Sequence, residues 1–365
     1  MNKSFVGRKE ELRQLSTNFV FQTNTILLAP HGWGKTSLVM KAAADAASKE
    51  KKFRLCHVCI SNIRDEERFY ELLSESVLKA VSSSIEDAVR KAEFLFGRLS
   101  PQMSFPSASV EGLKLSFDWN KLRNCREDLT DIPFKAAREY GLRLTVCIDD
   151  FQAVGNFPAA EQFVSMIAER WQRHEGVSYC VCSSEVAVSE KLAKSKVFGV
   201  YGQVIRLGKI DRVALANCLK DEFAESGKYL DMENALRIIS MAEGHPYYIK
   251  RLASAALTAT SVVCSPDVIQ KAHDEIIRHM HIIFSTVTSS LTSQQLCYIH
   301  AVLAGETVIS TSEVLHRHHI SSATSASRSK AALLEKEIIC INSGRAVMTD
   351  PLYAHWLRNI YFKNK

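Results

Sequence analysis

The residues with the clearest chemical potential run from position 26 to 37, Ile-Leu-Leu-Ala-Pro-His-Gly-Trp-Gly-Lys-Thr-Ser. An apolar run leads into a glycine-rich turn, and the good helix former Leu-Val-Met-Lys-Ala-Ala-Ala follows at 38–44. The spacing is that of G-x-x-x-x-G-K-[ST], with Ala29 in the first glycine place and the strand–loop–helix context the motif requires. Gly32 and Gly34 let the backbone curl so that successive N–H groups point inward, and the helix N-terminus adds its positive end. The loop Ala29, Pro30, His31, Gly32, Trp33, Gly34, Lys35, Thr36 and Ser37 is therefore expected to cradle phosphates. Lys35 would reach the β/γ-phosphates and Thr36 would hold Mg²⁺. The side chains of Pro30, His31 and Trp33 are given no chemistry. A small residue is what the first position needs, so Ala29 is a tolerated change.

A second chemical stretch, Leu-Thr-Val-Cys-Ile-Asp-Asp-Phe-Gln at 144–152, is a near-continuous apolar run with β-branched members. It reads as a buried parallel strand with Asp149 and Asp150 at its C-terminal end. Sites in open α/β sheets lie outside the carboxyl ends of the strands, so both acids should face the phosphate loop. Asp149 would then bond the water shell of Mg²⁺.

These residues need a scaffold. A chain of 365 residues should hold two or three domains. Its 46% hydrophobic and 24% charged residues are ordinary globular values. No apolar run approaches the roughly 18 residues of a membrane span and the start has no apolar signal core, so a cytoplasmic protein is expected. The net charge of +6 permits a nucleic-acid partner without demanding one.

Helical spacing is expected from Gly7 onward, then a strand over 53–60 and helices over 65–81 and 85–96. A hairpin insertion follows near 103–119, with Phe105, Leu115 and Phe117 packing on the domain, and then helical pattern over 121–140 with Pro133 at a boundary. A further strand over 178–184 ends in Ser183 and Ser184, and the stretch 198–207 is expected to precede a last strand. From Asp211 the pattern is helical, over 213–225, 232–242, 246–258 and 265–285. Helices over 295–303, 311–319 and 323–337 then lead into a strand, an Asn-Ser-Gly turn and a second strand over 338–348. Three helices and a hairpin make a winged helix.

The order of motifs resembles that of archaeal-type STAND/AAA+ P-loop ATPases. The Val6-Gly7-Arg8 box with Glu11 and Leu12, both Walker stretches, Gly244-His245-Pro246 and the closing Asp350-Pro351-Leu352 with Trp356-Leu357-Arg358 carry the resemblance over essentially the whole chain. It implies an α/β fold with a parallel P-loop sheet flanked by helices, then a helical lid and a C-terminal winged helix. The expected boundaries are 1–209, 210–288 and 289–365. It implies ATP and Mg²⁺ as ligands, with Val6, Gly7, Arg8 and Pro246 at the adenine. Asp149 takes the Walker B role. Asp150 stands where the family usually carries the Glu that activates water, and being one methylene shorter it bears on rate more than on binding. Ser183 or Ser184 would be the polar sensor. Gln203 stands where relatives commonly show Arg, so that arginine's role is lost or passes to Arg206 or Arg173.

Two functions follow from this reading. One is a Mg²⁺-dependent ATPase, with Lys35 and Asp150 catalytic, whose turnover drives a lid and winged-helix switch. The other is a nucleotide-gated DNA-binding or scaffold protein with little turnover. Residues 291–365 carry eight Lys/Arg against five Asp/Glu, and the recognition helix offers only Arg328, Lys330 and Lys336, a sparse set for tracking phosphates. A protein partner or homo-oligomer stays open. His316, His318 and His319 read as a solvated helix face with no acidic or thiol partner close by. The ten cysteines, most in apolar runs, read as small core residues, and Cys56 and Cys59, three apart on a strand, should face opposite sides.

Overall fold

The structure, a computed structural model, describes residues 7–120, 122, 125–184, 202–342 and 344–363. The chain divides into two compact units, Arg8–Gly208 and Lys209–Lys365, with Gly7 grouping with the second.

In the first unit, strands β1 (Asn24–Leu28), β2 (Phe53–Cys59), β5 (Arg143–Asp149), β6 (Val177–Ser183) and β7 (Gly202–Arg206) form an all-parallel sheet ordered β2-β5-β6-β1-β7. The last strand thus lies within the 198–207 stretch rather than after it, and Gln203 sits inside it opposite Thr25. Alternation decides the two faces of the sheet. Ile26, Leu28, Val58, Val146, Ile148 and Val181 join one large core with residues from α3 (Glu66–Val81), α4 (Ile85–Phe96), α6 (Ile132–Tyr140) and α7 (Ala160–Trp171). On the opposite face Thr25 accepts a hydrogen bond from Asn18 Nδ2 at 3.0 Å, which places α1 (Lys9–Val20) there, alongside α2 (Lys35–Lys49).

The helical pattern expected over 121–140 is two helices. α5 (Arg126–Thr130) stops at Asp131, and α6 restarts with Pro133 in its first turn, where a missing N–H costs nothing. The insertion is a short hairpin, β3 (Gln102–Ser104) against β4 (Lys114–Ser116). Leu115 and Phe117 are buried in the main core and Phe105 packs against it. Glu75, itself buried, accepts from the Leu115 N–H at 3.0 Å and so anchors the hairpin on α3.

The second unit begins with α8 (Arg212–Glu225), α9 (Met232–Met241), α10 (Pro246–Ala259) and the 24-residue α11 (Pro266–Ser289). Then come α12 (Ser293–Leu303), α13 (Ser312–Arg317), α14 (Ala323–Glu335), the hairpin β8 (Ile339–Asn342) and β9 (Arg345–Met348), and α15 (Pro351–Trp356). A capping box between Thr292 and Gln295 starts α12. α13 ends two residues earlier than expected, because His318 turns inward. It is buried, its Nδ1 lies 3.1 Å from His300 Nδ1 and its Nε2 3.3 Å from Glu306. The solvated-face reading therefore fails for His318, and Glu306 is the acidic partner not visible at short sequence range.

Side chains tie the winged helix to α11 and α10. Trp356 donates from Nε1 to His281 Nδ1 at 3.0 Å and packs near Phe284 and Tyr353. The Thr288 hydroxyl lies 2.8 Å from the Tyr353 hydroxyl. Asp350 caps α15 by accepting from the N–H groups of Leu352 and Tyr353 at 2.9 and 3.0 Å, and its second oxygen accepts from the Tyr248 hydroxyl. The Gly-His-Pro turn and the Asp-Pro-Leu ending are thus two sides of one joint. No described helix is long and apolar enough to cross a membrane.

Candidate nucleotide-binding site

The site grows from the carboxyl edge of the parallel sheet. β1 runs into the loop with Ala29 still buried and its N–H bonded to the Ser183 carbonyl at 3.2 Å. Gly32 and Gly34 adopt φ of +75° and +86°, a region costing other L-residues roughly 1–2 kcal/mol. Gly34 is also the N-cap of α2 and offers no side-chain cap, which leaves the first N–H groups of that helix to the loop's concavity. Lys35 is buried and its ammonium donates to the carbonyls of Ala29 at 2.8 Å and Pro30 at 3.2 Å, so the cation spans the mouth of the loop.

Arg8 fastens this loop from α1. Its guanidinium donates to the carbonyls of Trp33 at 3.2 Å and Gly208 at 3.1 Å. Within the second unit, Gly7 at φ +66° leaves only 2.5 Å between an added Cβ and Ile210 Cγ2, so a side chain there would strain the backbone and displace Ile210. Val6 lies outside the described residues, and Pro246 opens α10 in the second unit.

The Thr36 hydroxyl donates to Asp149 Oδ2, bringing the two expected magnesium ligands together. Both are hard oxygen donors of the kind Mg²⁺ takes, and Lys35 beside them would balance phosphate charge, so the residues present fit a Mg²⁺–triphosphate ligand. Burial pushes the Asp149 carboxyl up, but His57 and the Thr36 hydroxyl together hold it below its ordinary value, so it stays ionised. No motif in the sequence marks His57 as a site residue. Its place follows from register, since β2 sets His57 opposite Cys147 and Cys59 opposite Asp149, leaving His57 Nε2 3.6 Å from Asp149 Oδ2.

Asp150 leaves the strand in the left-handed region at φ 59°, where Asp and Asn are tolerated better than other side chains. That gives a backbone reason for the shorter acid at this position. One carboxylate oxygen accepts from Gln152 Nε2 at 3.2 Å and the other from the Cys59 thiol at 3.9 Å. Gln152 Oε1 in turn accepts from the Ser183 hydroxyl at 3.2 Å and the Ser184 N–H at 3.3 Å. The sensor candidates and the candidate base are therefore joined through one amide, a link that only the adjacency of β5 and β6 reveals. Of the arginines considered, Arg206 ends β7 beside Leu28 of β1. Arg173 instead lies just before the start of β6, at the opposite edge of the sheet, and pairs with Glu169 at 2.6 Å.

The family described as a probable winged helix domain matches residues 282–359. No curated protein matches the chain. Among solved structures, a Walker-type ATPase of Pyrococcus abyssi is similar over 97% of this chain and 96% of its own, at 16% identity and a TM-score of 0.63. Cdc6p from Pyrobaculum aerophilum aligns with 96% of this chain and 93% of its own at 15% identity and a TM-score of 0.49. The Orc1 protein of Aeropyrum pernix, solved in complex with DNA, aligns with 99% and 94% at 12% identity and a TM-score of 0.47. The fold is like that of the Walker-type ATPase, a five-stranded parallel P-loop sheet flanked by helices, with a C-terminal winged helix.

Proposed function

We propose that the chain binds ATP with Mg²⁺ in the loop 29–37 and hydrolyses it, as a member of the STAND type of AAA+ ATPase. The observation that carries this reading is the convergence of Thr36 and Asp149 beside the buried Lys35 at the mouth of a loop with two positive-φ glycines. The loop N–H groups hold the phosphates, and Lys35 leaves its carbonyl partners for the β/γ oxygens. Thr36 and Asp149 hold the metal, which when bound supplies charge neutralisation at the phosphates. Asp150, steadied by Gln152, orients the attacking water and accepts its proton. Ser183 or Ser184 reports on the terminal phosphate through the same amide. Gly7, Arg8 and Pro246 are assigned to the adenine, and the parts 1–209, 210–288 and 289–365 to nucleotide binding, lid and winged helix. The test is phosphate release by the purified chain with Mg²⁺. Release by the wild type that Lys35→Ala and Asp149→Asn abolish supports the reading; wild-type release no higher than that of Lys35→Ala overturns hydrolysis.

A second reading, a nucleotide-gated DNA-binding protein with little turnover, draws on the winged-helix match at 282–359. α14 buries Ala326, Ser329 and Leu333 and leaves Ser327 and Arg328 exposed. A salt-dependent DNA shift weakened by Arg328→Ala and Lys330→Ala is the expected result, and no binding at low salt with or without ATP removes it.

A further inference from the structure

Behind Asp149, on the sheet face that meets α2, three thiols converge. Cys147 precedes Asp149 by two residues on β5 and so shares its face, and register sets Cys180 of β6 directly beside it. Cys182 is the next residue of β6 on that face. All three are fully buried, their sulfurs lie within 4.8 Å of one another, and the Cys147–Cys182 pair is 3.7 Å apart. The opposite face of the same strands is filled by Val146, Ile148 and Val181. A single buried Cys serves as a small apolar residue; here three bring their sulfurs to one point.

We propose that Cys147, Cys180 and Cys182 form a three-thiolate site for a soft, thiophilic d¹⁰ ion, with Cu(I) the best fit. With metal–sulfur bonds of about 2.3 Å, three sulfurs in a trigonal arrangement stand about 4.0 Å apart. The Cys147–Cys182 distance of 3.7 Å is close to that figure and the other two pairs lie within 4.8 Å, so only small side-chain rotations are needed. Among the described residues no further His, Cys, Asp or Glu donor comes within 4.8 Å of all three. Zinc in structural sites takes four ligands, whereas soft thiolate ligands without a fourth donor suit Cu(I). Binding forms three metal–sulfur bonds and displaces thiol protons to solvent, with no change of oxidation state. Because the trio is enclosed, the ion enters as the sheet assembles. It then clamps β5 to β6 just before Asp149 and Ser183.

The test uses the full chain, expressed or refolded under reducing conditions with Cu(I), against a chromophoric Cu(I) chelator. A single ion retained per chain is expected, with X-ray absorption showing three sulfur neighbours and a higher Tm than the metal-free chain. Cys147→Ala, Cys180→Ala and Cys182→Ala should each release the ion, while Cys56→Ala, on the other face of the sheet, should retain it. No retention by the wild type, or retention that the three variants leave unchanged, overturns the site. Should the variants misfold, the sulfur count in the wild type decides: two or fewer sulfurs, or nitrogen or oxygen ligands, overturns it. Phosphate release plays no part in the readout, so the site stands or falls apart from the ATPase reading.

Discussion

The first unit makes its functional edge from backbone and small polar groups, whereas the second makes its joint from large side chains. At the phosphate loop, two positive-φ glycines, carbonyls holding Lys35, and the Thr36–Asp149 pair do the positioning. At the joint between α10, α11 and α15, Trp356, Tyr353, Phe284, His281 and the Tyr248–Asp350 pair do it. An edge of the first kind can lose a charge and keep its fold. A joint of the second kind cannot lose a ring without leaving a hole, because close-packed interiors relax only partly.

The largest effect should therefore be a functional one with little structural cost. Lys35→Ala is expected to cut Mg²⁺-dependent phosphate release by roughly 10²-fold or more. Its unfolding free energy from urea titration should fall by less than about 1 kcal/mol, since no apolar core is disturbed. A large loss of stability in this variant would break the contrast.

Next, Trp356→Ala should destabilise the second unit by about 3–5 kcal/mol, the range for truncating a buried aromatic. Urea unfolding followed by hydrogen exchange should place the loss in residues 209–365, while nucleotide binding, measured by calorimetry, persists. Equal loss in both units would show that the joint is not a local device.

Acid sharpens the same contrast. Burial pushes His273, His300 and His355 of the second unit below their ordinary value, against His174 among the described histidines of the first. Such a group is neutral in the fold but takes up a proton in the unfolded chain near pH 6.5. Its contribution is present above that pH and drains away as pH falls further, because the unfolded state then binds more protons. Exchange protection in the second unit should drop sooner than in the first between pH 7.5 and 5.5. Simultaneous loss would contradict the assignment. The smallest expected effect is that of Tyr248→Phe, about 1 kcal/mol for one hydrogen bond, read as a modest shift of the same unfolding transition.

Much of the fold was readable from local pattern. The strand–loop–helix at 24–49 and Asp149 at the end of β5 follow from runs of neighbouring residues, and the Thr36 hydroxyl meets Asp149; Asp150, just past the strand, bonds Gln152 and Cys59 instead. What escaped depends on which strands lie side by side. His57 meets Asp149 only because β2 pairs with β5, Gln152 meets Ser183 only because β5 pairs with β6, and the three thiols meet for the same reason. Spacing along the chain carries no strand order. His318 escaped differently, for its partners His300 and Glu306 come from α12 and the turn after it, and a short amphipathic helix shows no sign of which face a neighbour will cover.

The strand order has a consequence for how the protein is made. Among the described residues β1, the strand that feeds the phosphate loop, pairs only with β6 and β7, whose residues begin at Val177 and Gly202. Among them β2 pairs only with β5, which ends at Asp149. A ribosome delivering about 5–20 residues per second thus leaves β1 without a sheet partner for on the order of ten seconds or more, its apolar edge open to wrong pairings. The strand that leads into the phosphate loop is synthesised well before the strands that secure it, so truncation before Val177 should yield aggregate rather than a smaller folded protein.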